Sequence, residues 1–211
     1  YKVVQAGAKV LGNNKDGIDF SLEDDYYGDT RFHIPFIAWY QVMNASLALT
    51  TMEVLKDRIP VTMEQLQAGI ANTRWQGRME TILPGVIVDG AHNEDGVRRF
   101  VENAERFQKE YPLTLLFSAV NDKDYQDMIH TICSRIKFRK VVTTEVGGYR
   151  EVPSAELAEI FCKEGCKDVG NSDNIEEAFH MAHEAKGEDG MLFCVGSLYL
   201  VGEIKTLLLK K

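Results

Sequence analysis

Leu113-Thr114-Leu115-Leu116-Phe117-Ser118-Ala119-Val120 is a run of strand length that is almost continuously apolar. A half-buried strand alternates apolar and polar residues, so a run without alternation reads as a strand covered on both faces. Upstream of it, Val97, Phe100, Val101 and Ala104 lie at i, i+3, i+4 and i+7, the spacing of one helix face. Downstream the pattern keeps switching: a helix near 124–136, a strand over Lys140 to Thr144, a helix over Ser154 to Lys163 and a short strand near Val169. A helix over Ile175 to Ala185, a strand over Met191 to Val195 and a last helix from Leu198 complete the series. Such alternation predicts an α/β fold, a Rossmann-like, mainly parallel sheet with helices on both faces. Met79 to Leu83 and Val86 to Val88, joined by Pro84-Gly85, whose residue types suit a type II turn, predict a hairpin at its start.

The chain before this block reads differently. From Tyr1 to Arg31 it is strand and turn: Lys2 to Ala6, Gly12-Asn13-Asn14, Ile18 to Leu22 and Gly28-Asp29, which together predict a short mixed sheet. Pro35 suits the first turn of a helix, and Phe36, Ile37, Met43, Leu47, Met52 and Leu55 supply a broad apolar stripe after it. Thr62 with Gln65 forms a capping box, and Val61 with Leu66 a hydrophobic staple, so a second helix is expected from Met63 to near Ala71. These patterns predict two domains, 1–74 and 75–211.

Composition excludes several classes. Of 211 residues, 45% are hydrophobic and 27% charged, an ordinary globular mixture that should fold. With 24 basic residues against 32 acidic ones, the net charge of −8 disfavours a nucleic-acid partner. No apolar run approaches the roughly 20 residues of a membrane helix, so no membrane partner is expected. The four cysteines show no C-x-x-C spacing and are expected as buried small hydrophobes in a reducing cytoplasm. The opening on Tyr1, without a signal-peptide pattern, suggests a piece of something longer.

In a parallel sheet, ligands bind beyond the carboxyl ends of the strands, which directs attention to four segments. In Asp89-Gly90-Ala91-His92-Asn93, Asp89 could accept ribose hydroxyls and His92 could donate a hydrogen bond or relay a proton; alternatively, Asp89 and Asn93 only cap the next helix. Arg78, between Gly77 and the hairpin, could clamp a phosphate bidentately or simply pair with Glu80. Asn121-Asp122-Lys123-Asp124 follows the most apolar strand, with Asp124 a candidate cap. Gly196-Ser197 precedes the last helix, where backbone and hydroxyl could meet a carboxylate or phosphate, or Ser197 could be an N-cap. His180 and His183 share a predicted helix face without a third ligand in register. No G-x-x-x-x-G-K-[ST] phosphate loop occurs in the chain.

Taken in order, residues 41–49 (Gln41-Val42-Met43-Asn44-Ala45-Ser46-Leu47-Ala48-Leu49), Gly77-Arg78-Met79-Glu80, Val88-Asp89-Gly90-Ala91-His92-Asn93, Asp122-Lys123-Asp124 and Gly196-Ser197-Leu198-Tyr199 carry a resemblance. The chain resembles the carboxyl-terminal part of the folylpolyglutamate synthase/dihydrofolate synthase family, within the Mur ligase superfamily of ATP-dependent amide-forming enzymes. The resemblance implies that residues 1–74 end a central P-loop-type α/β ATPase domain and that 75–211 form the complete third domain. It implies phosphorylation of a folate carboxylate by ATP, with Mg²⁺, and attack of the L-glutamate amine on the acyl phosphate. By motif, Asn44 would contact the adenine side of ATP, Arg78 its phosphates and Asp89 its ribose, while His92 and Ser197 would face glutamate, with Arg78 and His92 catalytic. The metal ligands and most contacts to the reduced folate would lie outside this stretch, so the chain alone is expected to be inactive and the full-length protein a monomer. Glu94 stands where the family usually has Pro after His-Asn, which puts the path of that loop in question. Two other readings stay open: another Mur-type ligase of peptidoglycan synthesis, and a non-catalytic nucleotide- or protein-binding module in which Arg78, Asp89 and His92 do not converge.

Overall fold

In the computed structural model of the protein, which describes residues 7–14, 17–148 and 150–209, the chain divides into two units, Tyr1–Gln76 and Gly77–Lys211. In the first, β1 (Ala8–Asn14), β2 (Gly17–Leu22) and β3 (Arg31–Ile34) form an antiparallel sheet in chain order. The mixed sheet expected here is corrected, and β3 was not foreseen. Strands joined by short connections pair antiparallel, because a parallel pair needs a crossover of a dozen or more residues. Gly12-Asn13-Asn14, read as a turn, belongs to β1. The strand read over Lys2 to Ala6 lies outside the described residues.

Helix α1 (Tyr40–Leu55) begins later than Pro35 suggested. Pro35 follows the extended residue Ile34 directly, and the residue before a proline is driven away from helical geometry. The first helical amide bonds run from Gln41 to Ala38 and from Val42 to Trp39. The buried seam is Gln41, Val42, Ala45, Ser46 and Leu49, rather than the stripe expected through Met43 and Leu47. Leu47 and Val54 stand 54% and 64% exposed. Helix α2 (Met63–Ala71) starts at the expected capping box: the Thr62 hydroxyl accepts the Gln65 amide at 3.3 Å, and the Gln65 side chain accepts the Thr62 amide at 2.8 Å. Phe20, Phe32 and Ile34 of the sheet pack against Val42, Leu49 and Leu66 of the helices to form this unit's core.

The second unit is the expected α/β layer. Its strands are β4 (Glu80–Leu83), β5 (Val86–Asp89), β6 (Leu113–Phe117), β7 (Lys140–Thr143), β8 (Val169–Asn171) and β9 (Met191–Val195). They lie in the order β4-β5-β9-β6-β7-β8, all parallel except the β4-β5 hairpin. Gly85 has φ 69, the left-handed value that the third residue of a type II turn requires. Its helices are α3 (Glu94–Ala104), α4 (Tyr125–Arg135), α5 (Ser154–Lys163), α6 (Ile175–Lys186) and α7 (Leu198–Leu209). Helices α3, α4 and α5 pack in succession, with α5 against β7 and β8, whereas α6 and α7 pack on each other and on the central strands. The chain steps outward from β5 to β8 and then returns through α6 to place β9 between β5 and β6, so reversing direction while changing face keeps each crossover right-handed. β6 stops at Phe117, short of the expected Val120, because its partner β9 ends at Val195 and Gly196 turns away with φ 110.

The cysteines correct one expectation. Cys194 is buried in β9, but Cys162 is exposed and Cys133 and Cys166 are half-buried, because these three lie at or near helix ends rather than in strands. Among the described residues no helix is long and apolar enough to cross a membrane.

Candidate functional site

Strand β5 delivers Asp89 to its carboxyl end, where the side chain is 2% exposed. Both carboxylate oxygens are engaged: Oδ2 accepts the Met79 amide at 2.9 Å and Oδ1 the Ala91 amide at 2.8 Å. Burial pushes its pKa up to about 6, opposed by those two amides and by the neighbouring charge of Arg78. Asp89 therefore does not cap α3; Asn93 does, with Oδ1 accepting the Gly96 amide at 2.8 Å. The helix begins at Glu94, the first helical position, where Pro is also favoured. A glutamate there keeps the helix start and adds negative charge at the positive end of its dipole.

Asp89 holds a strained turn. Met79 has φ 44, the one left-handed non-glycine among the described residues, and Gly77 beside it has φ 68. Arg78 lies between these two residues, half-buried. Among the described residues it makes no hydrogen bond or ion pair; the expected pair with Glu80 is absent because Glu80 receives the Gly77 amide at 2.7 Å and Lys205 Nζ at 2.7 Å. A guanidinium offers five donors in a planar fork, and this one is left uncommitted next to a buried carboxylate.

Two separated segments, the loop after β5 and the start of α7, close around this turn. The Gly90 amide donates to the Gly77 carbonyl at 2.7 Å. A Cβ on Gly90 would stand 2.2 Å from Leu198 Cδ2, and one on Gly77 would stand 3.2 Å from Val201 Cγ1, so the first turn of α7 packs onto both glycines. His92, half-buried, turns its Nδ1 to the Gly90 carbonyl at 2.8 Å. A carbonyl can only accept, so Nδ1 carries the proton and Nε2 is left as an acceptor in the neutral ring. Ser197 is buried and its hydroxyl oxygen accepts the Tyr199 amide at 3.1 Å, which makes it the N-cap of α7. The Gly196 backbone lies so close to β6 that a Cβ there would meet the Ser118 carbonyl at 2.1 Å.

The fourth segment joins through a residue that the pattern did not single out. Arg150 donates to Asp122 Oδ2 at 3.2 Å and to the Tyr199 hydroxyl at 3.3 Å, while its carbonyl accepts the Asn121 amide at 2.7 Å. A lone basic residue in a loop carries no periodic signal, and its usual fate is solvation. Asp124 caps α4 by accepting the Asp127 amide at 3.2 Å. Ser118 Oγ, at the end of β6, is buried without a hydrogen-bond partner among the described residues. In the first unit, Asn44 lies exposed on α1 and donates to Gln41 Oε1 at 2.8 Å. His180 lies 3.9 Å from Glu176, and the His183 ring stacks on Phe179. Among the described residues no group of three or more His, Cys, Asp or Glu side chains is arranged to hold a metal ion.

Residues 77–198 match the family model described as Mur ligase, glutamate ligase domain. The chain is 29% identical over 194 residues to the dihydrofolate synthase/folylpolyglutamate synthase of Bacillus subtilis, covering 88% of this chain and 43% of that protein. It is 26% identical over 211 residues to a probable dihydrofolate synthetase of Schizosaccharomyces pombe, covering 92% and 48%. The chain thus spans about half the length of the relatives it matches. Among solved structures, a folylpolyglutamate synthase of Mycobacterium tuberculosis complexed with ADP and AMPPCP aligns with TM-score 0.77 at 23% identity, covering 96% of this chain and 48% of that one. E. coli FolC in complex with DHPP and ADP aligns with TM-score 0.76 at 18% identity, covering 97% and 46%.

Proposed function

Because the chain belongs to the family of Mur ligase glutamate ligase domains, we propose that it is the carboxyl-terminal part of a folylpolyglutamate synthase that adds L-glutamate to the γ-carboxylate of reduced folates. In this reading residues 1–74 end the central ATPase domain and 75–211 are the glutamate ligase domain, working in the cytoplasm. ATP transfers its γ-phosphoryl group to the folate carboxylate and leaves as ADP. The amine of glutamate then attacks the acyl phosphate, loses a proton and expels phosphate. The observation that carries the reading is the convergence of Gly77-Arg78-Met79, Asp89 to His92 and Gly196-Ser197-Leu198 at the carboxyl ends of β5 and β9. It also disfavours a module in which these residues stand apart.

Within it, Arg78 binds phosphate oxygens and offsets the charge that moves through them during transfer. Asp89 acts first by holding the Met79 turn that carries Arg78; a ribose contact would use the carboxylate lone pairs that the two amides leave over. His92, with Nδ1 engaged, presents Nε2 to the ammonium protons of glutamate and is the group placed to take one. Ser197 and the start of α7 offer a hydroxyl and a helix N-terminus to the glutamate carboxylate. Asn44 serves the adenine side of ATP. Among the described residues no group of three or more His, Cys, Asp or Glu side chains could hold Mg²⁺; its ligands would come from elsewhere in the longer protein, where it would offset charge on the transferred phosphoryl group. With no phosphate loop in its sequence, this chain by itself should not turn over ATP.

ADP release by the full-length ligase, with tetrahydrofolate, dihydropteroate and L-glutamate added singly and in pairs, tests the reading. Release that requires a folate together with glutamate is expected, and a pteroate-dependent signal would add dihydrofolate synthesis. Release indifferent to folates would overturn it in favour of another Mur-type ligase.

A further inference from the structure

Helices α4 and α5 start at the carboxyl ends of their strands and run back, so their C-terminal ends lie at the opposite end of the sheet from the loops above. There Cys133, in the last turn of α4, and Cys166, just beyond α5, bring their Sγ atoms to 3.7 Å. The backbone at Cys166 is held in place by how α5 ends. Gly165 takes φ 93, its amide bonds the Cys162 carbonyl at 3.0 Å, and the Cys166 amide bonds the Phe161 carbonyl at 3.0 Å. This double bond pattern is the Schellman motif, in which a left-handed glycine lets the next residue fold back over the helix end. Phe161 is fully buried and α5 packs against α4, so neither side of the pair is a free loop.

The remaining thiols differ in kind: Cys162 is exposed, and Cys194 is buried in β9. Only Cys133 and Cys166 combine partial exposure with a thiol neighbour among the described residues. Closing 3.7 Å to a bond of about 2.04 Å is within the range of small side-chain rotations. The hydrogen bond from Cys133 lowers the pKa of Cys166 below that of an ordinary thiol, while the same bond and burial raise that of Cys133. Either sulfur can accept this hydrogen bond; with Cys166 as the acceptor, Cys166 is the attacking sulfur.

We propose that Cys133 and Cys166 are a site of two-electron oxidation that closes to a disulfide, locking α4 to the end of α5. With hydrogen peroxide as the oxidant, the Cys166 thiolate attacks one peroxide oxygen, the O–O bond breaks, and hydroxide leaves and takes up a proton as water. The resulting sulfenic acid is attacked by Cys133 sulfur; the S–S bond forms, and the sulfenic oxygen departs with the thiol proton as a second water. Two thiols are oxidised and one peroxide is reduced to two waters. The closed loop of about 34 residues restricts the unfolded chain, and the bond lies away from the carboxyl-end loops, so it adds stability without reaching Arg78 or His92.

The test uses the whole chain carrying Cys162→Ser, which removes the exposed competitor, reduced and then exposed to equimolar hydrogen peroxide without denaturant. The expected result is a mass lower by two hydrogens, a peptide cross-link between positions 133 and 166, and a melting temperature higher by about 5–10 °C, all reversed by dithiothreitol. Adding Cys133→Ser should abolish the cross-link and leave Cys166 as a sulfenic acid that dimedone traps. Oxygen added at both sulfurs with no cross-link, or two thiols still open to alkylation after peroxide, would overturn the proposal. The outcome is independent of the ligase reading.

Discussion

The carboxylate of Asp89 accepts the amide of Met79 at 2.9 Å, and Met79 is held in a left-handed conformation at φ 44. A strained backbone of this kind costs about 1–3 kcal/mol and persists only where its surroundings hold it. Here a buried carboxylate ten residues away supplies the hold, and the side chain so aimed is Arg78.

Replacing Asp89 by Ala should therefore act twice. The buried amides of Met79 and Ala91 lose their acceptor, a loss of about 2–4 kcal/mol in denaturant-measured stability. In the full-length ligase ATP use should weaken by about ten- to a hundredfold. An unchanged ATP dependence in a folded variant would contradict both the anchoring and the ribose roles.

The raised pKa of Asp89 makes a signed prediction. Its carboxyl titrates near 6 folded, against an ordinary 3.8, so between these values the folded state binds more protons than the unfolded one. Its contribution to stability then falls as pH rises from about 4 to about 6, by roughly 3 kcal/mol, and is flat above. Asp89→Asn removes this titration, so the stability of the parent minus that of the variant should decline across this window in urea melts. A difference that instead grows with pH would mean that Arg78 and the two amides outweigh desolvation.

The close approach of Gly90 to Leu198 can be tested by a double-mutant cycle. Gly90→Ala places a methyl 2.2 Å from Leu198 Cδ2 and should destabilise by about 1–3 kcal/mol. Leu198→Ala removes the obstructing atoms, so the double variant should recover part of that loss, with a coupling of about 0.5–3 kcal/mol. Strict additivity would mean that the loop after β5 and the start of α7 do not meet.

Arg78 has no hydrogen bond or ion pair among the described residues and assists the buried Asp89 only through its nearby charge, so Arg78→Ala should lower the melting temperature only slightly. In the full-length ligase its effect should fall on kcat rather than on the KM for glutamate, because phosphoryl charge moves in the transition state. A change confined to the glutamate KM would reassign it to the amino-acid side.

The order of elements in Gly77–Lys211 was legible because strands buried on both faces and amphipathic helices leave different periods in the sequence. Met191–Val195 and the capping box at Thr62 are cases in which local chemistry suffices. The first unit was less legible: Pro35 and a broad apolar content suggested an early helix start and the wrong buried stripe, and tertiary packing chose Val42, Ala45 and Leu49 instead. The candidate site divides in the same way. Residue types and spacing alone marked Arg78, Asp89, His92 and Ser197. Ser197 caps α7 as its place before the helix allowed, through an amide two residues on, and Asp89 finds its amides two residues on and across the β4-β5 hairpin. That Arg150 ties Asp122 to Tyr199 depended on β9 inserting between β5 and β6 and bringing distant loops together. The thiol pair was equally invisible, because residues 33 positions apart meet only when two helices pack side by side. Period and capping are properties of neighbouring residues; the partner of a loop arginine or a thiol is decided by chain crossings, which no local pattern encodes.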